Sequence, residues 1–302
     1  MASITAIILT YNEEIHIERC NRSIKPVVSK IFVVDSFSTD KTLSIARALD
    51  AEVFQHPFKN QADQFQWAID HCETDTSWLM RMDADEYLEP SLVKEIQDRL
   101  PNLPEEISGI YLKRKVYFQD QWIRHGGFYP HTLLRLWRTK MGRIEQRWMD
   151  EHIVLPPSAK TIVFNEHLVD DNHKGITFWT EKHNKYASRE MADILINKYK
   201  LLSEDNALRY MSADPQARRK RNIKNSFYLN LPLGLRAAMY FFYRYFFKLG
   251  FLDGAKGFTW HFLQGFWYRL LVDVKVLEVE QKSQGNPQKI SEILSKEYGI
   301  QI

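Results

Sequence analysis

The chain has 302 residues, of which 44% are hydrophobic and 26% are charged, as in an ordinary globular protein. Its net charge of +3 excludes a general polyanion binder, so we expect no nucleic-acid partner. Two cysteines, Cys20 and Cys72, are too few for a disulfide scaffold and indicate a reducing compartment. The first residues lack the pattern of a signal peptide, and no apolar run is long enough to span a bilayer. We therefore expect a cytoplasmic protein.

The first third of the chain alternates between short apolar runs and helical patterns. Apolar runs predict four strands, at residues 4–9, 30–34, 52–54 and 77–83. The residues between them predict three helices: one ending near residue 23, one capped by Ser38 or Thr39, and one over residues 60–72. This alternation predicts an α/β fold with a mostly parallel, Rossmann-like sheet flanked by helices.

The fourth predicted strand ends in two carboxylates, Asp83 and Asp85. Ligands of an open α/β sheet collect at the carboxyl ends of its strands. Two carboxylates one residue apart can face one hard cation, which prefers oxygen ligands. An Asp-x-Asp pair also arises by chance in a chain of this length, so it indicates a metal site only together with other motifs.

The distribution of glycine restricts how this region could bind a nucleotide. No glycine precedes Gly109, whereas a Gly-x-Gly-x-x-Gly turn or a P-loop needs glycine backbone around phosphate. A nucleotide diphosphate would therefore have to be neutralised by another agent, and a cation at Asp85 could supply the charge.

Three motifs at predicted strand ends resemble those of a known family. Residues 10–14 read Thr-Tyr-Asn-Glu-Glu, residues 33–40 read Val-Val-Asp-Ser-Phe-Ser-Thr-Asp, and residues 82–85 read Met-Asp-Ala-Asp. In order, spacing and placement they resemble the signatures of family 2 glycosyltransferases, which are inverting enzymes with the GT-A fold. The chain looks most similar to the bacterial subgroup that includes lipopolysaccharide core β-glucosyltransferases.

The resemblance implies a site for a nucleotide-sugar donor. Thr10 and Tyr11 would line the base pocket, and Asp35 would accept a hydrogen bond from the imide N–H of uracil or thymine, because a carboxylate only accepts. Four further residues would contact the donor: Asn12, Glu14, Lys59 and Gln64. A solvated surface charge is an equal interpretation of Lys59, and a first-turn helix acid is the alternative for Glu14.

The same resemblance implies a divalent cation as cofactor. Asp85 would coordinate Mg²⁺ or Mn²⁺, and Asp83 would reach the cation or the ribose. His152, His167 and His173 follow at irregular spacing, and we interpret each as a structural histidine rather than a further ligand.

After a helix at 90–100 and strands at 109–118 and 132–138, residues 146–152 read Gln-Arg-Trp-Met-Asp-Glu-His. Family members carry an acid here that serves as general base, and displacement at an anomeric carbon requires one. We prefer Glu151, with Asp150 as the alternative, and the other acid would pair with a nearby arginine. Trp148 would offer a stacking platform for the acceptor sugar, or pack in the core.

A helix predicted over residues 177–202 contains a Lys-His-Asn-x-Tyr run, which also occurs in the lipopolysaccharide-type relatives. The resemblance implies that Lys182 and Tyr186 contact the acceptor. A solvated helix face is the alternative interpretation of these residues.

The C-terminal third is rich in aromatic residues. Arg236, Tyr240, Arg244 and Lys248 are spaced by four, which predicts a basic stripe along one helix, and a second aromatic helix follows. With the basic run at residues 218–221, two such amphipathic helices suit the anionic inner leaflet of the cytoplasmic membrane. The alternative is a helical hairpin packed on the catalytic domain or on a second subunit, which would make a homo-oligomer.

We divide the chain into a nucleotide-sugar-binding half at 1–105, an acceptor half at 106–176 and a helical region at 177–302 that associates with membrane from about residue 227. The expected function is metal-dependent, inverting sugar transfer from a nucleotide diphosphate to a lipopolysaccharide or other lipid-linked acceptor. Two alternatives stand. One is a haloacid-dehalogenase-like phosphatase, in which the first strand normally carries the Asp-x-Asp. The other is a non-catalytic membrane-associated scaffold.

Overall fold

The computed structural model describes residues 3–72, 75–145, 151–201, 232 and 234–300. The chain divides into two compact units. The first contains Met1–Arg124, Phe128–Glu145 and His152–His173. The second includes His125–Gly127 and the chain from Lys174 onward.

The first unit is built on one large sheet. Its strands are β1 (Ile4–Thr10), β2 (Lys30–Asp35), β3 (Glu52–Gln55), β4 (Trp78–Asp83), β5 (Glu86–Leu88), β6 (Ile107–Phe118), β7 (Gln121–Trp122) and β8 (His131–Arg138); β9 (Arg143–Ile144) and β10 (Ile153–Val154) form a separate ribbon, and β11 (Lys160–Asp171) returns to the large sheet. The strand order is β3-β2-β1-β4-β8-β6-β11-β5, with β7 paired to β6. Its helices are α1 (Ile17–Ile24), α2 (Thr42–Ala48), α3 (Gln61–His71) and α4 (Pro90–Arg99).

The first four predicted strands are parallel neighbours, which confirms the predicted α/β fold. β1 pairs in parallel with both β2 and β4, and β2 pairs in parallel with β3. β1 and β4 are buried almost throughout because their apolar side chains meet helices on both faces of the sheet. This arrangement brings the carboxyl ends of β2, β1 and β4 to one edge of the sheet.

The predicted cap of the second helix is wrong. α2 begins at Thr42, and the Asp40 carboxylate accepts a hydrogen bond from the Thr42 N–H at 2.9 Å. Ser38 cannot cap the helix because its hydroxyl donates to the Asp35 carboxylate and accepts from the Asn12 N–H at 2.8 Å. The third helix, by contrast, has the predicted bounds, because Asn60 caps it by accepting from the Asp63 N–H.

The second unit is helical in the part that the structure describes. Its segments are α5 (Gly175–Tyr199), α6 (Leu235–Phe242), a π-helical turn (Tyr243–Phe247), a 3-10 turn (Gly250–Asp253), α7 (Gly254–Trp260), a π-helical stretch (His261–Trp267), α8 (Tyr268–Ser283) and α9 (Pro287–Tyr298). α5, α8 and α9 share a small apolar core that includes Leu195, Val279 and Leu294. Among the described residues, no helix combines the length and the apolar character that crossing a bilayer requires.

The predicted basic stripe does not face outward. Arg236 is only 3% exposed and donates to both carboxylate oxygens of Asp273. Arg244 is 7% exposed and donates from Nε to the Gly126 carbonyl oxygen at 2.6 Å. The prediction is wrong for these two residues because a spacing of four shows that residues share a helix face, but not which face is outward. Lys248 is exposed, and residues 218–221 lie outside the described residues.

Candidate functional site

Three of the predicted site residues lie side by side at the edge of the sheet. Thr10 at the end of β1 is paired with Asp35 at the end of β2, and Leu9 is paired with Asp83 at the end of β4. The sheet therefore places two carboxylates on either side of the β1 terminus, as expected for parallel strands that end together.

Asp35 is buried and held by several donors. Its carboxylate accepts from the Thr10 hydroxyl at 2.9 Å and from both the backbone N–H and the hydroxyl of Ser38. The amide of Gln55 donates more weakly, at 3.4 Å. A carboxylate offers about four lone-pair sites, so a nucleobase N–H would have to replace a weak donor, and Gln55 is the weakest of these four.

The loops after β1 and β2 are tied together by reciprocal hydrogen bonds. The Asn12 side-chain oxygen accepts from the Thr39 N–H at 2.8 Å, and the Glu14 carboxylate accepts from the Lys41 N–H at 3.0 Å. Asn12 and Glu14 therefore act within the protein as loop connectors. Tyr11, between them, is 57% exposed.

The two predicted donor contacts of the third helix region lie in different settings. Lys59 is exposed. Gln64 is buried, and its amide bonds to His56 at 2.8 Å and to the Ser36 hydroxyl at 3.1 Å. Gln64 thus connects α3 to the end of β2, which favours support of the strand ends over direct donor contact.

The Asp83 carboxylate is held by a buried ion pair that the sequence did not reveal. Arg135 on β8 donates to Asp83 at 3.2 Å and, by a short hydrogen bond, to the buried Glu86. Glu86 in turn accepts from the Asp83 N–H at 3.0 Å. Burial opposes the charge of Arg135, but the adjacent carboxylates outweigh it and raise the pKa of the guanidinium. The pair therefore holds Asp83 at both its backbone and its side chain.

Asp85 is held from the end of β11. The Asn172 amide donates to its carboxylate at 2.8 Å, and its carbonyl oxygen accepts from the Asp171 N–H at 3.1 Å. Arg19 on α1 donates to the same carbonyl oxygen at 3.3 Å and to the Asp171 carboxylate at 2.7 Å. These bonds orient the carboxylate, as outer-shell partners of a metal ligand commonly do.

The donor set of this edge fits a hard divalent cation. Asp83 and Asp85 contribute carboxylate oxygens, which Mg²⁺ and Mn²⁺ prefer. Beside them, the ligand atoms of Asp120, Asp171 and His173 lie within 4.8 Å of one another. Arg19 already contacts both Asp171 and His173, so that second cluster contains a cation of its own.

Sequence reasoning missed the contribution of the β11 terminus. Residues 170–173 read Asp-Asp-Asn-His and lie at the carboxyl end of β11, so the strand-end rule that identified Asp83 also applies to them. His173 donates its backbone N–H to buried His16 at 2.8 Å, which ties this terminus to α1. The predicted structural role of its side chain stays a prediction.

The remaining predicted residues belong to the second unit or lie outside the part of the chain that the structure describes. Glu151 is half-buried. Asp150 and Trp148 lie outside the described residues. On α5, the Lys182 ammonium lies 5.8 Å from the ring centre of Tyr186, so the two predicted acceptor contacts share one face of the helix. Their roles stay predictions.

Comparison with known proteins places these features in a family. The model of the family described as Glycosyl transferase family 2 matches residues 5–168, which include β2, β4 and all of β1 but its first residue, together with Glu86 and Arg135. An uncharacterized glycosyltransferase of Rickettsia bellii is 41% identical over 97 residues, covering 32% of this chain and 31% of the relative. The glycosyltransferase SunS of Bacillus subtilis is 34% identical over 85 residues, covering 28% of this chain and 20% of the relative.

The match thus spans about a third of the length of the rickettsial relative. Among solved structures, glucosyl-3-phosphoglycerate synthase from Mycobacterium tuberculosis, in complex with Mn²⁺, UDP and glucosyl-3-phosphoglycerate, is similar with a TM-score of 0.32 and 24% identity. That likeness covers 38% of this chain and 44% of the other.

Proposed function

The chain belongs to glycosyl transferase family 2. We propose that it transfers a sugar from a nucleotide diphosphate, with UDP as the preferred nucleotide, to a hydroxyl of a cell-envelope acceptor. The observation that carries the proposal is the row of Asp35, Thr10 and Asp83 across three adjacent strand ends. Asp85 lies in the turn that follows Asp83. The carboxylate that we propose to recognise the base and the pair that we propose to bind the metal therefore lie at the same edge.

Donor recognition would begin at Asp35. Its carboxylate accepts hydrogen bonds only, so it selects a base that presents an N–H, as uracil does, and discriminates against the acceptor N3 of cytosine. Thr10 and Ser38 fix the carboxylate in place. The exposed ring of Tyr11 offers a stacking surface beside it.

Asp83 and Asp85 would hold a Mg²⁺ or Mn²⁺ ion. When bound, such an ion neutralises negative charge on a diphosphate leaving group. The contribution of the chain is orientation: Arg135 and Glu86 hold Asp83, while Asn172 holds the Asp85 carboxylate. No glycine-rich phosphate loop precedes Gly109, so a cation held by these acids would take the place of backbone phosphate contacts.

Inversion at the anomeric carbon needs a base for the acceptor hydroxyl. We assign that role to Glu151, with Asp150 as the alternative. Lys182, Tyr186 and Trp148 would contact the acceptor. We propose a lipid-linked acceptor such as lipopolysaccharide core, reached from the inner face of the cytoplasmic membrane.

The two alternative functions fare differently. The family match and the position of the Asp-x-Asp on the fourth strand, followed by Tyr87, remove the phosphatase alternative. A non-catalytic scaffold would lack nucleotide binding, so the same binding test separates it from a transferase.

The test is a thermal-shift panel of UDP, dTDP, CDP, GDP and ADP, each with Mn²⁺ and with a chelator. We expect the largest rise in melting temperature with UDP and Mn²⁺, and loss of that rise in Asp85→Ala. The control is Asp50→Ala, since Asp50 is an exposed carboxylate paired with Lys25 away from the strand ends. A rise that ignores the chelator, or that persists in Asp85→Ala, would refute the metal assignment.

A further inference from the structure

A short segment of the second unit exposes many large apolar side chains. Of the nineteen large hydrophobic residues exposed in the described part of the chain, ten lie between Met239 and Phe262. We call these ten the aromatic surface; they include Phe242, Phe246, Phe247, Leu252, Phe258 and Phe262. Phe247 is 79% exposed. Exposed apolar patches of this kind mark interaction sites.

The segment has two arms, residues 239–247 and 254–262, and ring contacts join them into one layer. Phe241 on the first arm lies 6.2 Å from Phe258 and 6.1 Å from Phe262 on the second arm, between ring centres. Tyr245 lies 5.2 Å from Phe246 and 5.5 Å from Phe258. The aromatic surface is therefore one contiguous face rather than a set of scattered side chains.

The polar groups of the same segment point the other way. Arg236 forms its ion pair with Asp273, and Arg244 donates to the Gly126 carbonyl oxygen, both in buried positions. Asp253 is 6% exposed and bonds to the His125 ring at 2.6 Å. A water-facing hairpin buries its rings and exposes its charges. This one buries Arg236, Arg244 and Asp253 and exposes many of its rings, so its outer face fits an apolar environment.

The charge at the rim identifies that environment. Asp253 is the only acid between residues 234 and 272, and it is buried, whereas Lys248 and Lys256 are exposed. Two copies packed through this face would bring two positive rims together. An anionic lipid leaflet instead complements both the apolar face and the lysines.

We propose that the aromatic surface inserts into a lipid bilayer as a shallow wedge, with Lys248 and Lys256 at the headgroups. Helices of this kind lie about 5–10 Å deep in the interface. The biological role of this wedge rests on the proposed function, because insertion would bring the enzyme to a lipid-linked acceptor. Arg236 is buried in an ion pair and Arg244 on a backbone carbonyl oxygen, so apolar insertion drives binding and the two exposed lysines add a smaller attraction to anionic lipid.

The experiment is flotation of the full-length chain with vesicles of zwitterionic lipid and of zwitterionic lipid mixed with anionic lipid. We expect binding to both, and retention in about 1 M salt, where the Debye length is only about 3 Å. Phe247→Ser with Leu252→Ser should lower the partition coefficient at least about tenfold, since each such side chain is worth about that factor when buried. Both residues are exposed, so the folded protein tolerates the changes.

The matched control is Ile176→Ser with Val274→Ser, which removes two exposed apolar side chains outside the aromatic surface and should leave partitioning unchanged. Binding that needs anionic lipid and disappears in salt would overturn the wedge. So would equal binding by the Phe247→Ser, Leu252→Ser variant, or absence of vesicle binding with a dimer that this variant dissociates. The assay contains no nucleotide, so its failure would leave the proposed transfer reaction intact, and failed transfer would leave the wedge intact.

Discussion

At the residue scale, the geometry of the carboxylate pair depends on Arg135. This side chain is buried, and its guanidinium contacts both Asp83 and Glu86. Removing one member of a buried ion pair leaves the other charge without compensation, which is far more costly than losing an exposed pair. Arg135 is therefore a positioning residue for Asp83.

We predict that Arg135→Met lowers the free energy of unfolding by about 3–5 kcal/mol, as typical for a broken buried pair. The measurement is urea unfolding of the purified chain. The control is Lys160→Met, because Lys160 pairs with Glu106 in an exposed setting where an ion pair is worth at most about 1 kcal/mol. An equal loss of unfolding free energy in the two variants would show that the Arg135 ion pair stabilises the fold no more than an exposed pair does.

The assignment of the base makes a separate prediction. Glu151→Gln keeps the shape and size of the side chain but removes its capacity to take a proton. We expect an unchanged thermal shift with UDP and Mn²⁺ and a turnover lower by about 10²–10⁴, the usual contribution of a general base. If Asp150→Asn produces that pattern and Glu151→Gln does not, Asp150 is the base.

The sequence predicted the residues of the candidate site that follow strands. Asp35, Asp83 and Asp85 each end an apolar run, and the parallel sheet brings such ends together. Asn172 directly follows β11, so the same strand-end rule could have identified it, whereas Arg135 could not be predicted, because it reaches the site only through the pairing order of β8 in the sheet. That order depends on long-range packing and leaves no local pattern.

At the element scale, strand and helix positions followed from apolar periodicity, whereas the direction of a helix face did not. The four-residue spacing of Arg236 and Arg244 correctly placed them on one face, but an ion pair of Arg236 and a hydrogen bond from Arg244 to the Gly126 carbonyl oxygen turn that face inward. Asp273, the partner of Arg236, lies 37 residues away in the chain. A single helix pattern cannot show whether a distant acid will meet it.

The turn at Gly126 shows how closely this element is packed. Its φ is +70°, and a Cβ added there would lie 2.0 Å from the His261 ring. Gly127 has nearly the same φ, +73°, but an added Cβ would meet only Lys248 at 3.8 Å. The two glycines thus share the need for a positive φ, but only Gly127 has room for a Cβ atom.

We predict that Gly126→Ala destabilises the chain more than Gly127→Ala. Both changes incur the strain of a left-handed backbone, about 1 kcal/mol, and only the first adds a clash, which in a packed region costs about 1–3 kcal/mol more. Urea unfolding of the two variants measures the difference. Equal destabilisation would mean that His261 moves aside freely.

At the scale of the whole molecule, the predicted division into three consecutive segments stays a prediction, and the second unit has its own core. Met191 and Leu195 on α5 pack with Val276 and Val279 on α8. Deleting residues 227–302 would expose that α5 face and destabilise the protein, so membrane binding is better tested with point variants. The composition of the sequence indicated a helical region here. The helices that pack on α5 lie far from it in the chain, and no local pattern predicts such contacts.

Two buried histidines should make the second unit sensitive to acid. Burial lowers the pKa of His183 from 6.5 to about 4, and its ring is stacked on Trp179 with 3.5 Å between ring centres. Burial and the nearby Arg244 likewise lower the pKa of His261 from 6.5 to about 4. Both groups bind a proton more readily in the unfolded chain than in the folded one.

The stabilisation of neutral His183 and His261 is therefore present above pH 6.5 and is lost as the pH falls from 6.5 towards 4. We predict a loss of about 2 kcal/mol for each histidine by about pH 5. Hydrogen exchange of α5 and α8, corrected for the intrinsic pH dependence and compared with β1 and β4, measures it unit by unit. His183→Gln should reduce the dependence by about half, because His261 remains, whereas the exposed control His71→Gln should leave it unchanged. Protection of α5 that is equal at neutral and acid pH would contradict the burial of a neutral imidazole as its cause.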